Sequence, residues 1–295
     1  MVFTDTAFVF IFLPLVWAAY VALLRRRAGR FVVWGLAAAS LCFYAYDSIA
    51  YAGIMLASIL VNYGAGRVLC ARTTPEAARK PFAVACVALN LALLGYFKYA
   101  GFLVVNVGGV LDVAWKAPAI LLPLGISFYT FTQIAYVVDC YRDRDADTRF
   151  GSFLLFVTFF PHLIAGPIVR YAEIGPQLKA RSRTLQGMTL GLRLFALGLA
   201  QKLLLADQLA PLADRVFAAD PLTLPALAAW GGLACFSLQI YFDFAGYSTM
   251  AIGLALMLGI RFPRNFDRPY AAQSVTEFWR RWHITLSRWL RDYLY

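Results

Sequence analysis

Histidine is nearly absent from this chain: two occur in 295 residues, His162 and His283, far apart in sequence. Cysteine is thinly spread as well. Cys42, Cys70, Cys86, Cys140 and Cys235 are scattered, with no CxxC pair. No metal-ligand spacing can be read from so few donors, so no metal site is expected, and the cysteines read as small hydrophobic side chains. Charge is short too. Asp, Glu, Lys and Arg make up 15% of the sequence, against roughly 25% in soluble domains. Acidic residues are the scarcer kind, 16 against 27 basic ones, leaving a net charge of +11. A chain this basic invites a nucleic-acid reading, but the arginines punctuate apolar runs rather than gathering into a patch. The positive-inside bias of membrane proteins accounts for them better, and no nucleic-acid partner is expected.

Apolar residues fill the space that charge vacates, 61% of the chain. They come as runs of spanning length separated by short polar breaks, near residues 7–24, 31–46, 49–69, 82–97, 119–138, 153–169, 188–206, 224–242 and 244–260. A further run, 102–111, is too short to cross alone and extends a neighbour or lies in the interface. The pattern predicts an all-α, polytopic integral membrane protein of about eight to ten spans, with residues 1–295 forming one domain. The first run lacks the basic n-region of a signal peptide and is followed by Arg25, Arg26, Arg27 and Arg30. It reads as a retained helix whose N-terminus lies outside the cytoplasm. The basic stretch 67–80, after the third run, falls on the same cytoplasmic side. Lys179, Arg181 and Arg183 make a further basic cluster, whereas the alternating Arg and Asp of 142–149 carry little orientation signal.

Polar groups inside this apolar frame are the candidates for function. Asp243 sits between two apolar runs in QIYFDFAGYS, residues 239–248. A carboxylate at depth costs at least about 2.5 kcal/mol on insertion scales, so it needs an interior partner. Tyr241, Tyr247 and Ser248 are the neighbours expected to share its network. An interior hydrogen-bond hub and a direct part in substrate or proton handling both fit. Pro123, Gly125, Pro161, Gly166 and Pro167 interrupt apolar runs. Such breaks are tolerated in a membrane where they are buried in protein or line a polar cavity, and kinks or span ends are the plainer alternative. His162, beside one break, reads as an interface or cavity histidine.

The final stretch is the densest in chemistry: EFWRRWHITLSRWLRDYLY, residues 277–295. On one continuous helix at about 100° per residue, Glu277, Arg280, Arg281, Arg288, Arg291 and Asp292 fall on one arc. Trp279, Trp282, Leu286, Trp289, Leu290 and Tyr293 fall on the other, and His283 lies with this apolar set. The segment from about residue 274 would lie along the membrane surface or plug a bundle. A neutral imidazole there is able to serve as a general base. Ser287, one turn on, is its expected hydrogen-bonding neighbour, and no carboxylate shares its face.

Taken together, LPLGISFYTFTQ (122–133) with Asp139 and Tyr141, PHLIAGPIVR (161–170), the block 239–253, NFDRPY (265–270) and the closing stretch 277–295 resemble the membrane-bound O-acyltransferase family. The likeness is greatest to its bacterial, alginate O-acetyltransferase type. The family's Trp-His pair falls on Trp282 and His283. The resemblance implies helices around a tunnel or funnel in a bacterial inner membrane and transfer of an acyl group to hydroxyls of an exported polysaccharide such as alginate. It implies no bound cofactor, an acyl donor such as acetyl-CoA or another acyl thioester, and partners comprising membrane lipid, the polysaccharide acceptor and extracytoplasmic acetylation proteins. His283 becomes the candidate catalytic residue, with Asp243, Asn265, Trp282, Ser287 and Tyr241 lining the substrate path. Relatives of this kind carry a second histidine some tens of residues beyond the Trp-His pair, whereas twelve residues follow His283 here, none of them histidine. The expectation is therefore of a catalytic core lacking its C-terminal part, inactive by itself. Two other classes stay open: a non-catalytic membrane scaffold for envelope-modification partners, and a transporter, whose broken helices and intramembrane polar groups would look similar.

Overall fold

In a computed structural model of the chain, residues 1–26, 29–111, 113, 120–144, 149–179 and 184–295 are described. Every regular element among them is helical. In chain order these are α1 (Phe8–Arg25), α2 (Gly29–Ala45), α3 (Ile49–Cys70), α4 (Glu76–Val110), α5 (Ile126–Asp143), α6 (Phe150–Thr158), α7 (Phe160–Leu163), α8 (Tyr171–Lys179), α9 (Leu185–Phe217), α10 (Ala226–Met257), a short 3-10 turn (Pro269–Ala271), α11 (Val275–Arg281) and α12 (Ile284–Tyr293). Arg27, Arg181, Arg183 and residues 145–148 of the Arg/Asp loop lie outside the described residues.

Five of the helices, α1, α3, α4, α9 and α10, are long and apolar enough to cross a membrane. A shorter apolar helix, α2, stands beside them among the described residues, and the apolar runs do not map one to one onto helices. Two pairs of runs merge: 82–97 and 102–111 join in α4, and 224–242 and 244–260 join in α10, which stays helical through Asp243. The run 153–169 divides instead. α6 has 9 residues and α7 has 4, with Pro161 in the first turn of α7. Nine residues rise only about 14 Å, half a hydrocarbon core. From Gly151 to Thr158 every α6 residue is buried in protein, which explains an apolar run that is not a span.

The chain forms two compact units. One comprises Met1–Ala28, Ala165–Val169 and Pro176–Leu294; the other Gly29–Ile164 and Arg170–Gly175 with Tyr295. In the second unit α3, α4 and α5 are joined by a polar core. Asn62 Nδ2 donates to Gln133 Oε1 at 2.8 Å, and Asn90 Nδ2 donates to Asn62 Oδ1 at 2.7 Å. Amides paired this way hold helices together where the hydrophobic effect gives little help. Arg79, expected among the basic residues of a cytoplasmic loop, is buried. Its guanidinium donates to the carbonyls of Leu69 at 3.3 Å and Tyr141 at 2.6 Å, closing the C-terminal ends of α3 and α5. The two proline-glycine breaks pack on each other. Gly125 sits at φ 71, and a Cβ there would lie 2.5 Å from the carbonyl oxygen of Leu163. His162 is buried beside this contact, with Nε2 2.9 Å from the carbonyl oxygen of Phe156.

In the first unit α9 and α10 run together through reciprocal glycines. A Cβ on Gly198 would fall 2.5 Å from the oxygen of Gly246, and one on Gly191 2.6 Å from that of Gly253. Both helices place these glycines seven residues apart, two turns along one face. α9 carries a π-helical stretch, Gln201–Ala206, and there Lys202 emerges toward α10.

Candidate functional site

α11 begins as its sequence dictates. Ser274 caps it, accepting from the Glu277 N–H at 3.1 Å, and the Glu277 carboxylate turns back to accept from Gln273 N at 2.8 Å. The Gln273 bond first, and then Arg281, hold the Glu277 carboxyl below its usual range. The helix does not continue. It ends at Arg281, Trp282 is extended, and His283 turns the chain at φ 42 and ψ 53 before α12 starts. A single amphipathic helix with His283 on its apolar arc is thus corrected to two helices and an elbow.

The cause is Asn265, on the segment that follows α10. Its carbonyl accepts from Ile284 N at 2.9 Å, and its side-chain Oδ1 accepts from Thr285 N at 3.3 Å. Two N–H groups at the start of α12 are thereby satisfied from across the elbow rather than from the preceding turn. Asp267 N donates to the Arg281 carbonyl at 2.9 Å and secures the end of α11 in the same manner. The left-handed backbone of His283 costs on the order of 1–2 kcal/mol, and this cross-bracing maintains it.

Asn265 also orients the imidazole. Because a backbone N–H can only donate, the amide atom facing Thr285 N is Oδ1. His283 Nδ1 lies 3.0 Å from that same Oδ1, so Nδ1 carries the proton and the lone pair of the neutral ring sits on Nε2. Thr285 Oγ1 donates to Oδ1 at 2.9 Å and accepts from Ile168 N at 2.9 Å, while Asn265 Nδ2 donates to Ser248 Oγ at 3.0 Å. Phe244 meets the imidazole edge-on at 4.7 Å, and Phe266 lies parallel at 6.4 Å. Burial among these groups pushes the His283 pKa down to about 4. The ring is therefore neutral at pH 7, with Nε2 in the basic form.

A cavity of about 560 Å³ opens alongside, lined by Tyr241, Ser248, Asn265, Phe266, Arg264 and Arg268 among others. Of the sequence candidates, Tyr241 and Asn265 line it and His283 is held by Asn265. Trp282 stacks on Phe278 at 5.5 Å and meets Phe266 edge-on at 5.1 Å, which makes it a wall behind Phe266. Ser287 does not pair with the imidazole. With the helix broken at the elbow, its hydroxyl donates to the Trp279 carbonyl at 3.3 Å. Asp243 has the partner its position demanded, but not the expected one. Lys202 Nζ lies 2.5 Å from its Oδ1 and 2.7 Å from Asp207 Oδ1, while Ser248 serves Asn265 instead.

Thr285, Lys202 and the two arginines were missed from the sequence. Lys202 carried a readable signal, a cation inside an apolar run opposite an intramembrane carboxylate. Thr285 carried none, since its part depends on the elbow.

The model of the MBOAT, membrane-bound O-acyltransferase, family matches residues 142–295. The chain is 44% identical over 302 residues to the protein named Probable alginate O-acetylase AlgI of Azotobacter vinelandii, covering 100% of this chain and 59% of that one. It is 37% identical over 325 residues to the peptidoglycan O-acetyltransferase of Helicobacter pylori, covering 100% and 61%. To the teichoic acid D-alanyltransferase of Bacillus subtilis it is 31% identical over 183 residues, covering 58% and 44%. The chain spans about three fifths of the length of the curated relatives that it matches along its whole length. With the family match running through the cavity segment and the Trp282-His283 elbow, the chain belongs to the membrane-bound O-acyltransferase family.

Proposed function

We propose that this chain is part of a bacterial inner-membrane O-acyltransferase that acetylates hydroxyls of an exported polysaccharide, alginate being the leading acceptor. The observation that carries the reading is the His283–Asn265 bond beside the cavity. It leaves a neutral imidazole with its lone pair on Nε2, the form a general base needs. In the proposed reaction the acceptor hydroxyl gives its proton to an imidazole lone pair, and Nε2 of His283 is the one this chain offers. The sugar oxygen attacks the carbonyl carbon of an acyl thioester, acetyl-CoA or a similar donor. The carbon–sulfur bond breaks, the thiolate leaves and takes up the proton, and an ester and a thiol result. Base assistance of this kind is worth about 10²–10⁴-fold. The names of the relatives support the reaction class, since they acylate alginate, peptidoglycan or teichoic acid. The N-terminus is proposed to lie outside the cytoplasm, with extracytoplasmic acetylation proteins as partners.

The test is ester content. The whole gene product, expressed in cells that export unacetylated alginate, should install acetyl esters detectable by proton NMR of the purified polymer. His283→Ala should lower them at least about a hundredfold. Equal ester content with and without the gene would sink the reading, and unchanged content in His283→Ala would remove His283 from it.

A further inference from the structure

We propose that Arg264 and Arg268 form an anion-recognition subsite at the rim of the cavity, taking a carboxylate or phosphate group of a substrate. Only the identity of that substrate rests on the acyltransferase reading. Both arginines line the cavity. They share one counter-charge: Arg264 lies 3.1 Å and Arg268 3.9 Å from the same oxygen, Oδ1 of Asp267. Two cations against one carboxylate leave a positive charge unmatched. The arginine side chains are 69% and 83% exposed, so their pairing with Asp267 is weak and their donors remain open to a ligand.

The backbone adds an independent sign. Arg268 is held at φ 45 and ψ 60, a left-handed conformation that a long side chain disfavours. The turn that follows it, closed by Ala271 N donating to the Arg268 carbonyl at 3.1 Å, maintains the strain. Strain of this kind gathers at ligand clamps. The rest of the lining is of another character, with the Tyr241 and Phe266 rings, the Leu194, Leu197 and Ile252 side chains, and Ser248. Two exposed arginines beside an aromatic and aliphatic lining suit a molecule with an anionic group at one end and a carbon-rich body. Asn265 lies between the two arginines in sequence, so an anion gripped at the rim places that body beside the residue that orients His283.

Two substrates of an acyl transfer to a polysaccharide carry such a group: a uronate unit of the acceptor and the phosphates of a coenzyme A donor. Binding distinguishes them. The purified whole protein in detergent is titrated with an oligouronate and its carboxyl-reduced counterpart, and separately with coenzyme A and pantetheine. The expected result is that one anionic probe binds and its neutral counterpart binds more weakly. Arg264→Gln and Arg268→Gln should each weaken the anionic probe about tenfold. Arg268→Lys should keep part of the affinity, and Asp267→Asn should raise it, a gain that a folding defect would not give. An oligouronate response assigns the subsite to the acceptor, and a coenzyme A response assigns it to the donor. Anionic probes that bind the glutamine variants as well as the parent, or fail to bind the parent, overturn the subsite. Because binding is read without turnover, the two readings fail separately. Ester transfer that persists with affinity unchanged in the variants sinks the subsite alone. Arginine-dependent binding in a protein that never forms esters sinks the acyltransferase reading alone.

Discussion

Asn265 concentrates four jobs in one side chain and carbonyl: it caps α12, holds His283 Nδ1, bonds Thr285 Oγ1 and donates to Ser248. It is 1% exposed, so water cannot take over those bonds when the amide is removed. Each buried polar group left unmatched costs about 1–3 kcal/mol. Asn265→Ala is accordingly expected to lower stability by about 3 kcal/mol or more, read as a large drop in unfolding temperature in detergent. His283 behaves differently. Its left-handed backbone favours glycine, so His283→Gly should retain or improve stability where His283→Ala does not, while both lose the imidazole. Matched ester loss with divergent melting temperatures would separate chemistry from scaffolding. The protonation state gives a further check. Burial lowers the folded pKa of His283 to about 4, against about 6.5 unfolded. Between those values the unfolded chain binds more protons, so stability rises with pH. The contribution is complete above about pH 6.5 and disappears as pH falls toward 4. His283→Gln should flatten that stretch of the stability profile. The same neutral ring should hold the acid limb of ester formation well below the ordinary histidine range.

Helix packing at the scale of the element is set by what is missing from glycine. Gly191, Gly198, Gly246 and Gly253 let α9 and α10 meet backbone to backbone, and a methyl added at any of the four would lie 2.5–2.8 Å from a facing carbonyl oxygen. In lipid, close approach of this kind supplies the association that apolar side chains cannot. Gly198→Ala and Gly246→Ala should each destabilise by about 1–3 kcal/mol, whereas Gly231→Ala, with open space around it, should be neutral. Circular-dichroism melts of the three variants check the order. The seam was readable in principle as glycines seven apart in two apolar runs. The runs themselves were legible, and so was the all-helical class, because apolar length is a one-dimensional property. How runs merge or divide was not. α6 looks like part of a span only until its neighbours in the fold are known, and 224–260 looks like two spans because Asp243 reads as a break until Lys202 faces it. The elbow at His283 was hidden for the same reason. Its caps come from Asn265, eighteen residues upstream, and helical periodicity in 277–293 cannot report a partner outside that window.

At the scale of the whole molecule, few charges occupy the five long apolar helices, and three of them meet. Lys202 joins Asp207 at 2.7 Å and Asp243 at 2.5 Å, linking α9 to α10. The three side chains are 27%, 40% and 44% exposed, so the cluster is half-buried rather than part of a closed core. One cation answers two carboxylates, and the consequences of removing each member are therefore unequal. Asp243→Asn leaves a balanced Lys202–Asp207 pair and a neutral amide able to accept from Lys202. Lys202→Met leaves two like charges on apolar helices with no cation between them. The expected order is Lys202→Met clearly destabilised, by about 2–4 kcal/mol, and Asp243→Asn within about 1 kcal/mol of the parent. The double variant Lys202→Met with Asp243→Asn should recover part of the loss, because only Asp207 then remains unpaired. Thermal unfolding of all four proteins in detergent measures the order and the recovery. Equal losses for Lys202→Met and Asp243→Asn would mean that the ion cluster adds nothing and that α9 and α10 are held by their glycine seam alone.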